Sequence, residues 1–148
     1  MSSRMNERYM FRGKRKDNGK WEIGHYVITG EFPIGDESDL SPMVMHVITN
    51  GYTQEVVDPN TVDMCTGLRD INKKLIFEGD IVEDDYGRKM RVEYSLQLQQ
   101  TRLYQVGSYE NILGMSKGWP IFDWLFPSLE LTVIGNIYDN AELLVETQ

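Results

Sequence analysis

This chain predicts a mainly β fold, a β-rich α+β domain, and three observations predict it. Apolar and polar residues alternate with a period of two along Trp21 to Thr29, Arg88 to Leu96 and Leu129 to Ile137. That is the spacing of strands with one face in a core. Asn18-Gly19, Asn50-Gly51 and Tyr86-Gly87 fall between such runs, and residues that accept positive φ there mark hairpin turns. Helical spacing is weak until the C-terminus, and no internal repeat or low-complexity tract interrupts the pattern.

The first element is a hairpin closing at Asn18-Gly19. Its second strand, "WEIGHYVIT" (21–29), sets Trp21, Ile23, His25 and Val27 on one face, which the alternation assigns to a core. His25, without a second ligand nearby in sequence, reads as a core-edge residue. The segment "GEFPIGDESDLSP" (30–42) has no period and reads as a long loop. A second hairpin follows at Asn50-Gly51. A two-residue turn there pairs Met45 with Val56 and His46 with Glu55, which makes His46 and Glu55 a cross-strand polar pair on a solvated face.

Next comes "TGLRDINKKLIFEGDIV" (66–82), where a polar Glu-Gly-Asp divides two apolar triplets. Asp70 to Lys73 has turn chemistry, Leu75 to Phe77 is a short strand, and Gly79 suits a bulge or a positive φ. Asp80 can accept a hydrogen bond from a nearby backbone N–H, so Gly79 and Asp80 read as a structural turn. Residues 80–95 then form a hairpin of the kind small barrels use. A second chemistry is open to the same residues. Glu78, Asp80, Glu83, Asp84 and Asp85 place carboxylates close together, and Glu78, Asp80 and Glu83 could hold a divalent cation, with His25 or His46 brought near by folding. The alternating acids of a helix-loop-helix calcium site are missing, and strand alternation sends Asp84 to the face opposite Glu83 and Asp85.

Residues 97–105 fit neither the helix nor the strand template. The run "WPIFDWLFP" (119–127) crowds Trp119, Phe122, Trp124 and Phe126 between two prolines. Rings in this density serve as core, as a protein-recognition patch, or as a self-association surface. At the C-terminus Asp139 and Glu142 have capping-box spacing, which predicts a short final helix carrying Leu143 and Leu144.

Composition bounds the function. A chain of 148 residues suits one domain that buries roughly two thirds of its unfolded surface without metal or disulfide. Its one cysteine, Cys65, has no internal partner and reads as buried filler in a reducing interior. The N-terminus lacks the apolar core of a secretory leader, so the expectation is a cytoplasmic protein, in a bacterial host cell, with no membrane and no cofactor. The net charge of −8 opposes nonspecific duplex binding. Residues 1–26 nevertheless hold seven Lys/Arg against three acids, and residues 27–68 hold seven acids and no Lys or Arg. A nucleic-acid contact through Arg12, Lys14, Arg15, Lys16 and Trp21 is therefore a further alternative. A solvated edge strand guarded by its charges is the reading favoured for that hairpin.

Three segments, "FRGKRKDNGKWEIGHYV" near the start, "VDPNTVDMCTGLRDINKKLIFEGDIV" (57–82) and "VIGNIYDNAELL" (133–144), together resemble the YopX family of phage and prophage proteins. The family pattern has an Asp-x-Asn-Gly turn between its "TGL" and "EGD" elements and ends in a similar "IGNIY" segment. Residues 30–50 and 97–125 carry no family signature. This sequence departs from the pattern at Asn72-Lys73, where the family has Asn-Gly, and at Met64-Cys65, where it has a polar residue and an aromatic. The resemblance implies an SH3-like barrel, a phage or prophage origin, and no established catalytic residues. The expected organisation is a single domain over 1–148, divisible into N-terminal hairpins (1–60) and an SH3-like barrel with a C-terminal helix (61–148). The expected role is a noncatalytic binding or regulatory module for a protein partner of host or phage, with homo-oligomerisation through the aromatic run as one use. A metal-dependent hydrolase and a nucleic-acid-binding protein are the alternatives.

Overall fold

The computed structural model describes residues 7–31, 43–106, 119–120 and 130–145. The fold is mainly β and antiparallel throughout. It divides into two compact units, Met1–Met64 and Cys65–Gln148. The strands are β1 (Phe11–Lys14), β2 (Trp21–Glu31), β3 (Met43–Thr49), β4 (Gln54–Val56), β5 (Asp63–Arg69), β6 (Leu75–Phe77), β7 (Asp80–Glu83), β8 (Lys89–Ser95), β9 (Gln100–Gln105), β10 (Trp119–Pro120) and β11 (Thr132–Asn136). β5 starts in the first unit and continues into the second.

In the first unit the order is β4-β3-β2-β1-β5. Gly19, at φ +71°, lets the chain reverse between β1 and β2. The sheet curls until the end of β4 returns to the end of β1: Arg15 pairs with Val57, and Lys16 N–H donates to the Val56 carbonyl at 3.0 Å. Val57 is 0% exposed at that closure, with Val47 and Ile48 also buried. A Cβ on Gly13 would lie 3.0 Å from the Val57 side chain, so Val57 would have to give way to it. Thr61, in the 3-10 turn Pro59–Thr61, staples the same seam by accepting from Lys14 N–H and donating to the Asp58 carbonyl.

Two expectations are corrected in this unit. The β3–β4 loop is longer than a two-residue turn. Asn50 Oδ1 accepts from the N–H groups of Tyr52 and Thr53, an Asx cap that extends the loop. The register therefore pairs Val47 with Val56 and Ile48 with Glu55, so His46 and Glu55 do not face each other. The face of β2 assigned to a core is also solvated: Ile23, His25 and Val27 are exposed. β1 pairs only with Trp21 to Gly24, and β4 covers β3 only from Val47 to Thr49, so the β2–β3 ribbon that leaves β1 at His25 is two-stranded beyond the Val27–Val47 pair.

In the second unit β5 pairs with β6, and the remaining strands follow the order β10-β9-β8-β7-β11. Ile76, Val82, Met90, Val92, Leu103 and Leu131 form its core, with Leu68 and Val133 packed against them. The alternation read in β8 holds for Met90 and Val92, which are buried, whereas Tyr94 and Leu96 are exposed toward its end. Among the described residues the sheets do not close into a barrel. The C-terminal helix is a 3-10 turn, Ala141–Leu144, without a capping box. Asn140 is its N-cap and Asp139 instead accepts from the Asn136 side chain.

Candidate functional site

The carboxylates at 78–85 are held by different parts of the fold. Asp80 is 1% exposed, and its Oδ2 accepts from Phe77 N–H at 2.8 Å across the corner that Gly79 turns at φ +83°. Asp84 is buried in the β7–β8 turn, where Oδ1 accepts from the N–H groups of Tyr86 and Arg88 and Oδ2 from the Arg88 guanidinium. Burial pushes the Asp84 carboxyl up, but the Arg88 N–H, the Arg88 guanidinium and the Tyr86 N–H outweigh it, so its pKa lies below the usual carboxylate range. Asp85 is exposed and Glu83 and Glu78 are half-buried. No group of three His, Cys, Asp or Glu side chains converges as a metal site among the described residues. His25 and His46 lie in the first unit on β2 and β3, and both histidines belong to the ribbon.

The basic hairpin is neutralised largely by its own neighbours. Arg12 is buried and pairs with Asp63 at 3.3 Å, with its guanidinium 4.7 Å from the Trp21 ring centre. Arg15 reaches Asp17, Glu22 and Glu55 at 2.6, 3.4 and 3.1 Å. The Asp17 hydrogen bond is the main reason its pKa is raised and the main reason that of Asp17 is lowered. Lys14 lies over Trp21 at 5.5 Å, and Lys16 is exposed. The cluster ties β1, β2 and β4 together more than it presents free cations. The Tyr26 hydroxyl is hydrogen-bonded to His46 Nδ1, and the two rings are stacked.

The sequence motifs of the second unit meet at β11. Asp70 Oδ1 accepts from Asn72 and Lys74 N–H, and its Oδ2 accepts from Val133 N–H at 3.0 Å. Ile71 N–H donates to the Leu131 carbonyl. Gly79 N–H donates to the Val92 carbonyl, while the Gly79 carbonyl accepts from Ile137 N–H. Thr66 Oγ1 donates to the Ile76 carbonyl and accepts from Leu68 N–H, which locks the bulge where Gly67 takes φ +80°. In the last motif Asn140 Oδ1 accepts from Asn136 N–H, directly where a Cβ on Gly135 would stand. A family model for the YopX protein matches residues 10–145, the span that contains all of these contacts. The chain belongs to the YopX family. No curated protein is similar enough to it to count as a match.

The departures of this YopX chain from the family pattern acquire a geometry. Lys73 takes φ +66°, the left-handed position where the family pattern has glycine. Cys65 is buried and donates toward the Ile76 carbonyl, while Met64 is exposed. Of the aromatic run, Trp119 in β10 pairs through its backbone with Leu103 of β9, and Phe122, Trp124 and Phe126 lie outside the described residues. What the sequence reading missed is the exposed apolar surface of the ribbon: Ile28 is 58% exposed, and Val44, Met45 and Val27 are also exposed. The signal was present as unbroken apolar runs, Val27-Ile28 and Met43-Val44-Met45, which put apolar side chains on both faces of a strand. Tyr52, at the tip of the β3–β4 loop, is 96% exposed.

Proposed function

We propose that this YopX protein is a noncatalytic binding or regulatory module that engages a protein partner, of host or phage, through the β2–β3 ribbon. One observation carries the reading. Val27 and Met45 on one face, and Ile28 and Val44 on the other, are exposed on a ribbon that has no Lys or Arg from residue 27 onward, and exposed apolar side chains of this kind serve as contact surfaces. A two-stranded ribbon is marginal in water by itself and gains from being covered. The metal-dependent hydrolase is the weaker reading, because Asp80 and Asp84 already accept backbone N–H groups and the histidines sit on another element. Nucleic-acid binding is weaker as well, because Arg12 and Arg15 face carboxylates. The setting we infer is the cytoplasm of a bacterial cell carrying a phage or prophage. Among the described residues no helix is long and apolar enough to cross a membrane. The second unit fits an open SH3-like arrangement, in which β11 returns beside β7, the first strand of a meander.

The test is affinity capture from a bacterial lysate, with the wild type compared with a Val27→Lys/Met45→Lys variant. Specific loss of a protein partner in the variant supports the reading. An identical set of captured proteins would overturn it.

A further inference from the structure

The ribbon has an edge as well as faces. Beyond Gly24, the side of β2 that faced β1 meets no hydrogen-bonding partner among the described residues. Edge strands of soluble proteins are guarded by Lys, Pro, bulges or a covering element. From His25 to Gly30 the sequence is "HYVITG", with no Lys, Arg or Pro, and its pairing with β3 is regular from His25 to Glu31.

The direction of the backbone groups follows from bonds on both sides. The Lys20 carbonyl accepts from Arg15 N–H, so even-numbered residues of β2 face the β1 side. Independently, the His46 carbonyl accepts from Val57 N–H and so points away from β2. Ile28, which is paired with His46, must then point its own groups away from β3. Tyr26, Ile28 and Gly30 therefore aim their N–H and C=O groups at the open edge.

We infer that this edge pairs antiparallel with the same edge of a second copy of the chain, with the two-fold axis passing at Ile28. The inference rests on the ribbon being the contact element and names its occupant. Antiparallel pairing about Ile28 sets Ile28 against Ile28, Tyr26 against Gly30, Val27 against Thr29, and His25 against Glu31 of the second copy. The hydrogen-bonded positions are then Ile28 and the two Tyr26/Gly30 pairs, so every outward N–H of these residues meets an outward carbonyl. The side-chain pairs agree with the register. A tyrosine opposite glycine is the aromatic rescue of an edge glycine, and Val with Thr is a β-branched pair. An isologous contact requires a segment to be complementary to itself, and this segment is. A foreign strand would satisfy the backbone but would give no reason for the side-chain agreement about Ile28.

The test uses the full chain. Light scattering coupled to gel filtration should give twice the chain mass of 17.2 kDa at high micromolar concentration. Ile28→Pro removes an N–H that β3 does not use, so it should yield a monomer with an unchanged circular dichroism spectrum. Ile28→Lys, which sets like charges at the axis, should do the same and serves if the proline variant fails to fold. Ile28→Cys should form an interchain disulfide on mild oxidation, since Cα atoms of a hydrogen-bonded antiparallel pair lie about 5.5 Å apart, within disulfide reach. A wild type monomeric throughout that range, or a dimer indifferent to Ile28→Pro and Ile28→Lys, overturns the inference. A monomer that still captures a partner sensitive to Val27→Lys/Met45→Lys would remove this pairing and leave the binding reading standing.

Discussion

Replacing Asp70 with alanine should destabilise the second unit by about 4.5–6 kcal/mol, taking about 1.5 kcal/mol as the lower end for each hydrogen bond to a charged group. Three backbone N–H groups lose their acceptor, those of Asn72, Lys74 and Val133. The first two belong to exposed turn residues, where water replaces part of the loss, so they count near that lower end. The third belongs to β11 and holds the β5–β6 turn against it. Asp70→Asn separates these contributions. The amide oxygen can keep the two turn N–H groups, but its NH2 then meets Val133 N–H, donor against donor, and the cost falls to about 1.5–3 kcal/mol. The assay is equilibrium urea unfolding followed by circular dichroism, combined with hydrogen exchange at Ile71 and Val133. The expected order of stability is wild type, then Asn, then Ala, with exchange protection lost at Val133 in both variants. An alanine variant within about 0.5 kcal/mol of the wild type, the range of an ordinary surface change, would refute the role assigned to Asp70.

Three further predictions follow from the same geometry. Lys73→Gly should stabilise by about 0.5–1 kcal/mol, because relief of a left-handed side chain, about 1–2 kcal/mol, exceeds the entropy glycine adds to the unfolded chain; a lower urea midpoint would count against it. Asp84, whose pKa is lowered in the folded state, contributes stability that is present above the unfolded carboxylate value of about 3.9 and is lost as pH falls through the folded value. Asp84→Asn should therefore flatten the decline of the urea midpoint below about pH 4, and an unchanged acid limb would argue against the assignment. Gly135→Ala places a Cβ 2.6 Å from Asn140 Oδ1 and should destabilise by about 1–3 kcal/mol, with Gly135→Ala/Asn140→Ala losing less than the sum of the single changes. Strict additivity in that cycle would refute the contact.

The turns of this fold were readable from the chain and the environments of its strands were not. Asn18-Gly19 and Tyr86-Gly87 announce reversals because glycine accepts a positive φ that other residues resist, and both glycines take one. Alternation along Trp21 to Val27 tells which side chains share a face. It says nothing about what covers that face, and the structure leaves Ile23 and Val27 exposed. The β3–β4 register failed for a related reason: the Asn-Gly pair marks the reversal, while Asn50 Oδ1 sets the loop length through contacts with Tyr52 and Thr53. The meeting of Asp70 with Val133 and of Gly79 with Ile137 spans sequence separations that no local pattern encodes.

That convergence bears on where function resides. The segments that identify a YopX chain are spent on its construction: Thr66 and Gly67 shape a bulge, Asp70 fastens a turn to β11, Gly79 bonds to both Val92 and Ile137, and Gly135 makes room for Asn140. Residues whose hydrogen-bonding capacity is used inside the fold are poor candidates for ligand contact, because recruiting them would expose the N–H groups they satisfy. The β2–β3 ribbon is the converse case. Only the end of the first family segment, His25 to Val27, reaches it, its outward backbone groups have no partner among the described residues, and Val27, Ile28, Val44 and Met45 on its faces are exposed. Substitutions in the motifs should therefore report chiefly on stability. Substitutions at Val27, Ile28 and Met45 should leave stability nearly unchanged and alter association, and that separation is measurable in one set of variants by unfolding and light scattering together.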